Sequence, residues 1–281
     1  MNVDVVFLTL NSEKPCLREC VESIYRGIPV NRFIVVDGGS TDGTIEYLSG
    51  CPNVEIHYDL EGTRATAREI GIGLVQTDWF IFIDSDCILC DDWFEKAEPH
   101  IGSDIGAIQG HDYPIYNKII SDFGEAMISL RKLFGRSSSR TLVPSNVRGF
   151  TGDVLIRTEI LKDIKIPRHL HHYEDYYIKR YIEDKGFKWL ITEEPSCKHI
   201  TIGRKAKSAY HAGYLGYKVG FLSLKNSLIN VLTIFPKVIY AFILKRNIKM
   251  VFWQISFQFY SFIGVLKSAL DYRKKLSELF D

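Results

Sequence analysis

Residues 79–86 read Trp79-Phe80-Ile81-Phe82-Ile83-Asp84-Ser85-Asp86. Five consecutive apolar residues, too few for a helix and without polar alternation, predict a strand buried on both faces, as in a parallel sheet covered by helices. Open sheets of that kind hold ligands beyond the carboxyl ends of their strands. This strand ends in two carboxylates separated by one serine. In an extended segment Asp84 and Asp86 face the same way and Ser85 the other. Two acids converging in a cleft repel unless a cation sits between them. The pattern therefore points to a hard divalent cation, Mg²⁺ or Mn²⁺, that also binds phosphate. The competing reading is that both acids only form a turn at the strand end.

On either side the first half of the chain alternates apolar runs and amphipathic stretches at βα spacing. Strands are expected at 3–9, 33–36 and 54–57, and helices at 14–26, from Thr41 to Leu48, and at 63–75. This predicts an α/β fold with a mostly parallel, Rossmann-like sheet and helices on both faces. Further on, 105–109 and 154–156 read as strands, 117–134 and 173–185 as helices, and the serine-rich 136–140 as a loop.

The 281 residues suit one large α/β domain plus an appendage. A formal charge of +1 provides no global field, so nucleic acid is not an expected partner and anionic ligands must be held locally. Six cysteines and no secretory signal before the first apolar run predict a reducing, cytoplasmic compartment. Cys87 and Cys90 have half-zinc-site spacing but no second such pair.

Three other stretches bear on chemistry. In 34–44 a strand runs through Asp37-Gly38-Gly39 into a helix start, where Asp37 is placed to accept from a ribose or base; the alternative is a tight turn in which Ser40 or Thr41 caps the helix and Asp42 complements its dipole. Glu174-Asp175 opens a helix, where the dipole keeps a carboxylate ionised; both acids serve the dipole alone unless they have a further part in the chemistry. From residue 210 two apolar stretches, 228–244 and 250–266, are flanked by Lys245, Arg246, Lys249, Lys267, Arg273, Lys274 and Lys275. Each is near the lower limit of about 17 to 25 residues for a membrane span. They read as an interfacial pair of helices on a membrane surface, with a packed hairpin or a homo-oligomer contact as the alternative.

Residues 7–24, 34–44, 62–87 and 171–190, in that order and at those separations, resemble an inverting family 2 glycosyltransferase of the GT-A fold, over about residues 1–202. The resemblance implies a catalytic domain at 1–209, with a nucleotide-binding half at 1–110 and an acceptor half at 111–209, followed by membrane-associating helices at 210–281. It implies that Thr9, Asn11 and Glu13 lie near the nucleotide, that Asp37 contacts a uridine or guanosine, and that Arg64 and Arg68 support the base or diphosphate. Asp84 would reach ribose and metal-bound water, with Asp86 the direct metal ligand. Asp175 would be the base and Glu174 its neighbour, and His199 would reach the metal or diphosphate. Gly152, in the stretch 148–153, would let the donor sugar approach backbone, with Asp153 beside it. Arg204, Lys205 and Lys207 form a basic stretch able to close over the diphosphate, or else a solvated face. Many members carry two aspartates before the glycine where this chain has Asp37-Gly38, which leaves the base open.

The implied activity is metal-dependent transfer of a sugar from a UDP- or GDP-sugar to a hydroxyl acceptor, a lipid-linked glycan, at the cytoplasmic face of the membrane. Alternatives are transfer to polyprenyl phosphate, a sugar nucleotidyltransferase, and an inactive nucleotide-sugar-binding protein. The nucleotidyltransferase would want a glycine-rich basic loop after the first strand, and Leu10-Asn11-Ser12-Glu13 lacks it.

Overall fold

The computed structural model describes residues 1–116, 118–133, 148–201 and 205–277. The serine-rich loop and Arg204 lie outside these. The first units are β1 (Val3–Thr9), α1 (Leu17–Gly27), β2 (Val30–Asp37), α2 (Thr44–Leu48), β3 (Val54–Tyr58), α3 (Arg64–Leu74) and β4 (Trp79–Asp84). Then come β5 (Cys87–Leu89), α4 (Trp93–Ala97), β6 (Ile105–Tyr116), α5 (Lys118–Leu133), β7 (Asp153–Arg157), α6 (Thr158–Leu161), α7 (Glu174–Asp184) and β8 (Lys188–Thr201). Three helices follow: α8 (Ala209–Lys218), α9 (Leu224–Lys245) and α10 (Ile248–Ser277).

The strands form one sheet in the order β3-β2-β1-β4-β7-β6-β8-β5. β1 is parallel to both β2 and β4, and β2 to β3, whereas β7 runs antiparallel to β4 and β6. The chain leaves β1 toward β2 on one side and reaches β4 on the other, so a crevice opens at the carboxyl ends of β1 and β4. Register puts three functional candidates on that edge: Thr9 lies opposite Asp37, and Leu8 opposite Asp84.

Strand alternation explains the continuous apolar runs. Val3, Val5 and Phe7 of β1 with Trp79, Ile81 and Ile83 of β4 face one helical layer, where α1 contributes Leu17, Val21 and Ile24. Val6 with Phe80 and Phe82 faces the other, with Ala65 and Ile72 of α3 and Ile178 and Ile182 of α7. Each such fully buried side chain contributes roughly 1.5–3 kcal/mol. A charged group interrupts the apolar run of β1: Asp4 is buried and accepts from Arg32 Nη2 at 2.5 Å, Asn31 Nδ2 at 2.8 Å and the Gln76 N–H at 2.8 Å. Those three partners provide the pairing a buried carboxylate requires.

The division into compact units differs from the expected cut at 209/210. One unit comprises Met1–Ile115 and Arg140–Ile200, the other Tyr116–Ser139 and Thr201–Asp281. α5 belongs to the second because Ala126 packs with Ala241 and Met250, Asn247 Nδ2 donates to Asp122 at 2.7 Å, and Lys245 pairs with Glu125. In this unit Pro236 sits inside α9 without ending it.

Candidate active site

At the edge of β1 and β2 two loops are tied together by hydrogen bonds. The Asn11 N–H donates to Ser40 Oγ at 2.8 Å, Thr41 N–H to Asn11 Oδ1 at 2.9 Å, Ser12 N–H to Thr44 Oγ1 at 2.9 Å, and Glu13 N–H to Asp42 Oδ2 at 3.1 Å. Asp42 also accepts from Thr44 Oγ1 at 2.6 Å and the Thr44 N–H at 3.2 Å, which holds its carboxyl below the usual range; the N-cap of α2 is Gly43 rather than the expected Ser40 or Thr41. Gly43, the residue before α2, has φ 93°, a conformation in which a side chain is strained. Its α-carbon faces the Glu13 carboxylate, so Glu13 is placed between the two loops.

Asp37 is held by the donors of its own turn. Its side chain is fully buried, and it accepts from the Gly39 and Ser40 N–H groups, both at 2.8 Å, and from Ser40 Oγ at 2.5 Å. A carboxylate at the head of a Gly-Gly-Ser turn collects the turn's own donors. In this structure Asp37 shapes the loop. Thr9, beside it, is buried with Oγ1 lacking a hydrogen-bond partner among the described residues.

The carboxylates after β4 do not share one extended segment. Asp84 ends the strand, whereas Ser85 and Asp86 form a tight turn into β5. Their side chains accordingly find different partners. Asp84 accepts from Arg68 Nη2 at 3.0 Å, and Ser85 Oγ donates to Ser12 Oγ at 2.9 Å. Asp86 Oδ1 lies 3.2 Å from His199 Nε2. His199 reaches it because β8 pairs antiparallel with β5, placing Cys87 opposite His199, and the Ile200 N–H donates to the Asp86 carbonyl at 2.8 Å.

Among the described residues the candidate metal cluster is Asp86, Cys87 and His199, with ligand atoms within 4.8 Å of one another; Asp84 stands outside it. The donor chemistry of Asp86 and His199 fits a divalent cation such as Mn²⁺. Cys87 is a poorer candidate for a hard ion, because a thiolate prefers softer metals than Mg²⁺ or Mn²⁺. Gly152 lies against this centre. Its carbonyl accepts from the Asp84 N–H at 3.1 Å, and a methyl group on its α-carbon would come within 3.2 Å of Cys87 Sγ and 3.5 Å of Asp84 Oδ2. Asp153, expected near the sugar, is instead buried at the start of β7 and accepts from the Trp93 indole at 3.2 Å.

The second acidic pair begins α7, and both members are buried. Arg68, on the inward face of α3 and 3% exposed, reaches across to it: Nε lies 3.8 Å from Glu174 Oε1 while Nη2 holds Asp84. One guanidinium therefore touches both acidic pairs. Arg68 Nη1 and Glu174 Oε2 are buried and lack a hydrogen-bond partner among the described residues, spare polar capacity of the kind ligands and water satisfy. Arg64, one turn earlier, is exposed after the Thr63 cap. Asp175 accepts from Arg148 through Nε at 2.9 Å to each oxygen and pairs with Nη2 at 2.8 Å; the Tyr176 N–H adds a contact at 2.7 Å. Burial pushes its carboxyl up, Arg148 pulls it down, and Glu174 raises it, leaving it at about 6. Arg148 was missed as a partner of Asp175, and so was the strand that carries His199.

The model of Glycosyl transferase family 2 matches residues 4–164. An uncharacterized glycosyltransferase of Haemophilus influenzae is 28% identical over 163 residues, which are 56% of this chain and 60% of that protein. The alignment thus spans about three fifths of the relative's length. Among solved structures, the mannosyltransferase PcManGT from Pyrobaculum calidifontis, in complex with GDP-Man and Mn²⁺, has a TM-score of 0.65 at 16% identity, over 96% of this chain and 87% of its own. S. aureus TarS 1-349, in complex with UDP-GlcNAc, has 0.55 at 17%, over 77% and 66%. These likenesses show the GT-A fold. The family match takes in more than half of the chain, including Thr9, Asp37, Arg68, Asp84 and Asp86, and the chain belongs to glycosyl transferase family 2.

Proposed function

We propose that the chain is a metal-dependent, inverting glycosyltransferase that moves a sugar from a UDP- or GDP-sugar to a hydroxyl of a lipid-linked glycan. The observation that carries this reading is Arg68, whose guanidinium joins Asp84 beside the candidate metal ligands to Glu174 beside the candidate base. A donor held on one side and an acceptor deprotonated on the other would meet across that bridge. Asp86 and His199 would hold the cation, which when bound supplies Lewis-acid neutralisation of the departing diphosphate. Asp175 takes the acceptor's proton as the alcohol oxygen bonds to the anomeric carbon, opposite the bond that breaks to the diphosphate. The loops around Asn11, Glu13, Asp37 and Ser85 form the nucleotide edge, with the Thr9 hydroxyl and Arg64 facing that task. Gly152 keeps the space beside Asp84 open for the donor. GDP-Man and UDP-GlcNAc in PcManGT and TarS support a nucleotide-sugar donor of either base.

Thermal denaturation with a panel of UDP- and GDP-sugars, each with Mn²⁺ or EDTA, tests the donor and the metal together. At 100 times Kd a ligand adds about 2.7 kcal/mol of stability. The expected result is a rise in Tm for at least one sugar nucleotide with Mn²⁺ and its loss with EDTA. Stabilisation by none of them contradicts the reading.

The partner we propose for the helical unit is a membrane surface on the cytoplasmic side, which would suit a lipid-linked acceptor. α9 has no acidic residue, and an 18-residue window of it has mean hydropathy 1.9. Leu228, Leu232, Phe235, Ile239 and Ile243 are exposed along one face, as are Phe252, Phe259, Ile263, Leu266 and Leu270 of α10. An exposed apolar face on a helix with polar residues elsewhere suits the plane of a membrane surface. Lys225, Lys237, Lys245, Arg246 and Lys249 add cations that favour anionic headgroups and an interfacial position. Full-length protein should float with vesicles containing phosphatidylglycerol and largely detach in high salt. Remaining in the aqueous fraction, or resisting alkaline extraction as a spanning helix would, contradicts the interfacial position.

A further inference from the structure

The Arg148–Asp175 contact stands apart from ordinary ion pairs. Three donor contacts cover both carboxylate oxygens, at 2.8–2.9 Å, and Asp175 is 4% exposed. The guanidinium is fixed in turn by the Tyr173 ring, 4.6 Å away, and by Phe150 at 5.7 Å. Such a fork is pre-organised and is chosen where carboxylate orientation matters. We propose that Arg148 is the positioning residue of the general base, holding Asp175 ionised and oriented in a site from which water is largely excluded. The proposal rests on the reading of Asp175 as the base.

The charges around Asp175 show why such a residue is needed. Glu174 precedes it on α7, equally buried, and repels a second negative charge. Arg68 of α3 pairs with Glu174 and Asp84 rather than with Asp175. Lys179, one turn along α7, is paired with Glu183 at 2.6 Å. The Tyr173 hydroxyl is itself raised by burial and is neutral at ordinary pH. Arg148 is thus the cation paired with Asp175 among the described residues. Even with it in place, burial leaves the carboxyl at about 6. Loss of Arg148 raises it further, and a protonated carboxyl cannot accept the acceptor's proton.

The test is the pH profile of kcat/KM for hydrolysis of the sugar nucleotide that stabilises the protein best, using full-length wild type, Arg148→Lys, Arg148→Ala and Asp175→Asn with Mn²⁺. An arginine beside an aspartate lowers its pKa by about 1–3 units. The acid limb of Arg148→Ala should therefore move upward by about one pH unit or more, with Arg148→Lys between it and wild type. A rate lowered by one factor at every pH, with the limb in place, overturns the proposal and leaves Arg148 a merely structural residue. If Arg148→Ala does not fold, Arg148→Lys alone decides: its limb must move upward. Asp175→Asn separates the two readings, since undiminished hydrolysis in that variant removes the base itself rather than its positioning.

Discussion

Asp175→Asn should abolish transfer to an alcohol acceptor, lowering kcat on the order of 10³-fold while the donor still binds. The amide keeps the shape and most of the packing of the carboxyl, so the helix start and the Tyr173 ring are undisturbed. What it loses is the ability to accept a proton. Arg148 loses its counter-charge as well, so a melt of the variant should accompany the rate to show that the fold persists. The wild-type profile should show an acid limb near the Asp175 carboxyl, at about 6, because activity requires its ionised form and falls as pH drops through that value. Measurement of kcat against donor KM for both proteins checks this. Retention of most of the rate by the asparagine variant would point to an acceptor that is already anionic, such as a polyprenyl phosphate, for which no base is needed.

Asp86→Ala should have an effect of similar size by a different route. With the carboxylate gone, His199 is left facing a gap and the cation loses its anionic ligand. Donor binding should then lose its dependence on Mn²⁺, and turnover should fall at least 10²-fold, by analogy with loss of a single preorganised group that stabilises developing charge. Titration of Mn²⁺ against donor-induced Tm separates the outcomes. Asp84→Asn, by contrast, should weaken Mn²⁺ dependence less, since Asp84 is engaged by Arg68 and lies outside the ligand cluster. A variant at Asp86 that keeps full metal response contradicts the assignment of the ligand.

The parts of the fold that were legible in the sequence share one physical origin. The last residues of β2 and the body of β4 are buried on both faces, so residues 33–36 and 79–83 appear as apolar runs, and the carboxylates at their ends stand out against them. β8 does not. It carries Thr192, Glu194, Lys198 and His199 among its apolar residues, and its contact with the three-residue β5 depends on a register that no local pattern encodes. That is why His199 stood out only through resemblance. The Arg148–Asp175 pair is hidden for the same reason, because 27 residues and a strand separate its members. Asp37 was legible as a carboxylate at a strand tip, whereas the three donors it takes from the Gly-Gly-Ser turn were not. For Asp84 and Asp86, the expectation of a shared face assumed an extended chain, and the turn into β5 sends the two carboxylates to different partners.

Arg68 joins the two acidic pairs, so a structure of the protein with Mn²⁺ and an intact, non-hydrolysable analogue of its best sugar nucleotide tests whether they act on one sugar. The expected result is the ion on Asp86 and His199, the diphosphate on the ion, and the anomeric carbon opening toward Asp175. An ion on those ligands with the sugar turned away from Asp175, or a donor bound without contact to Asp86, would contradict it.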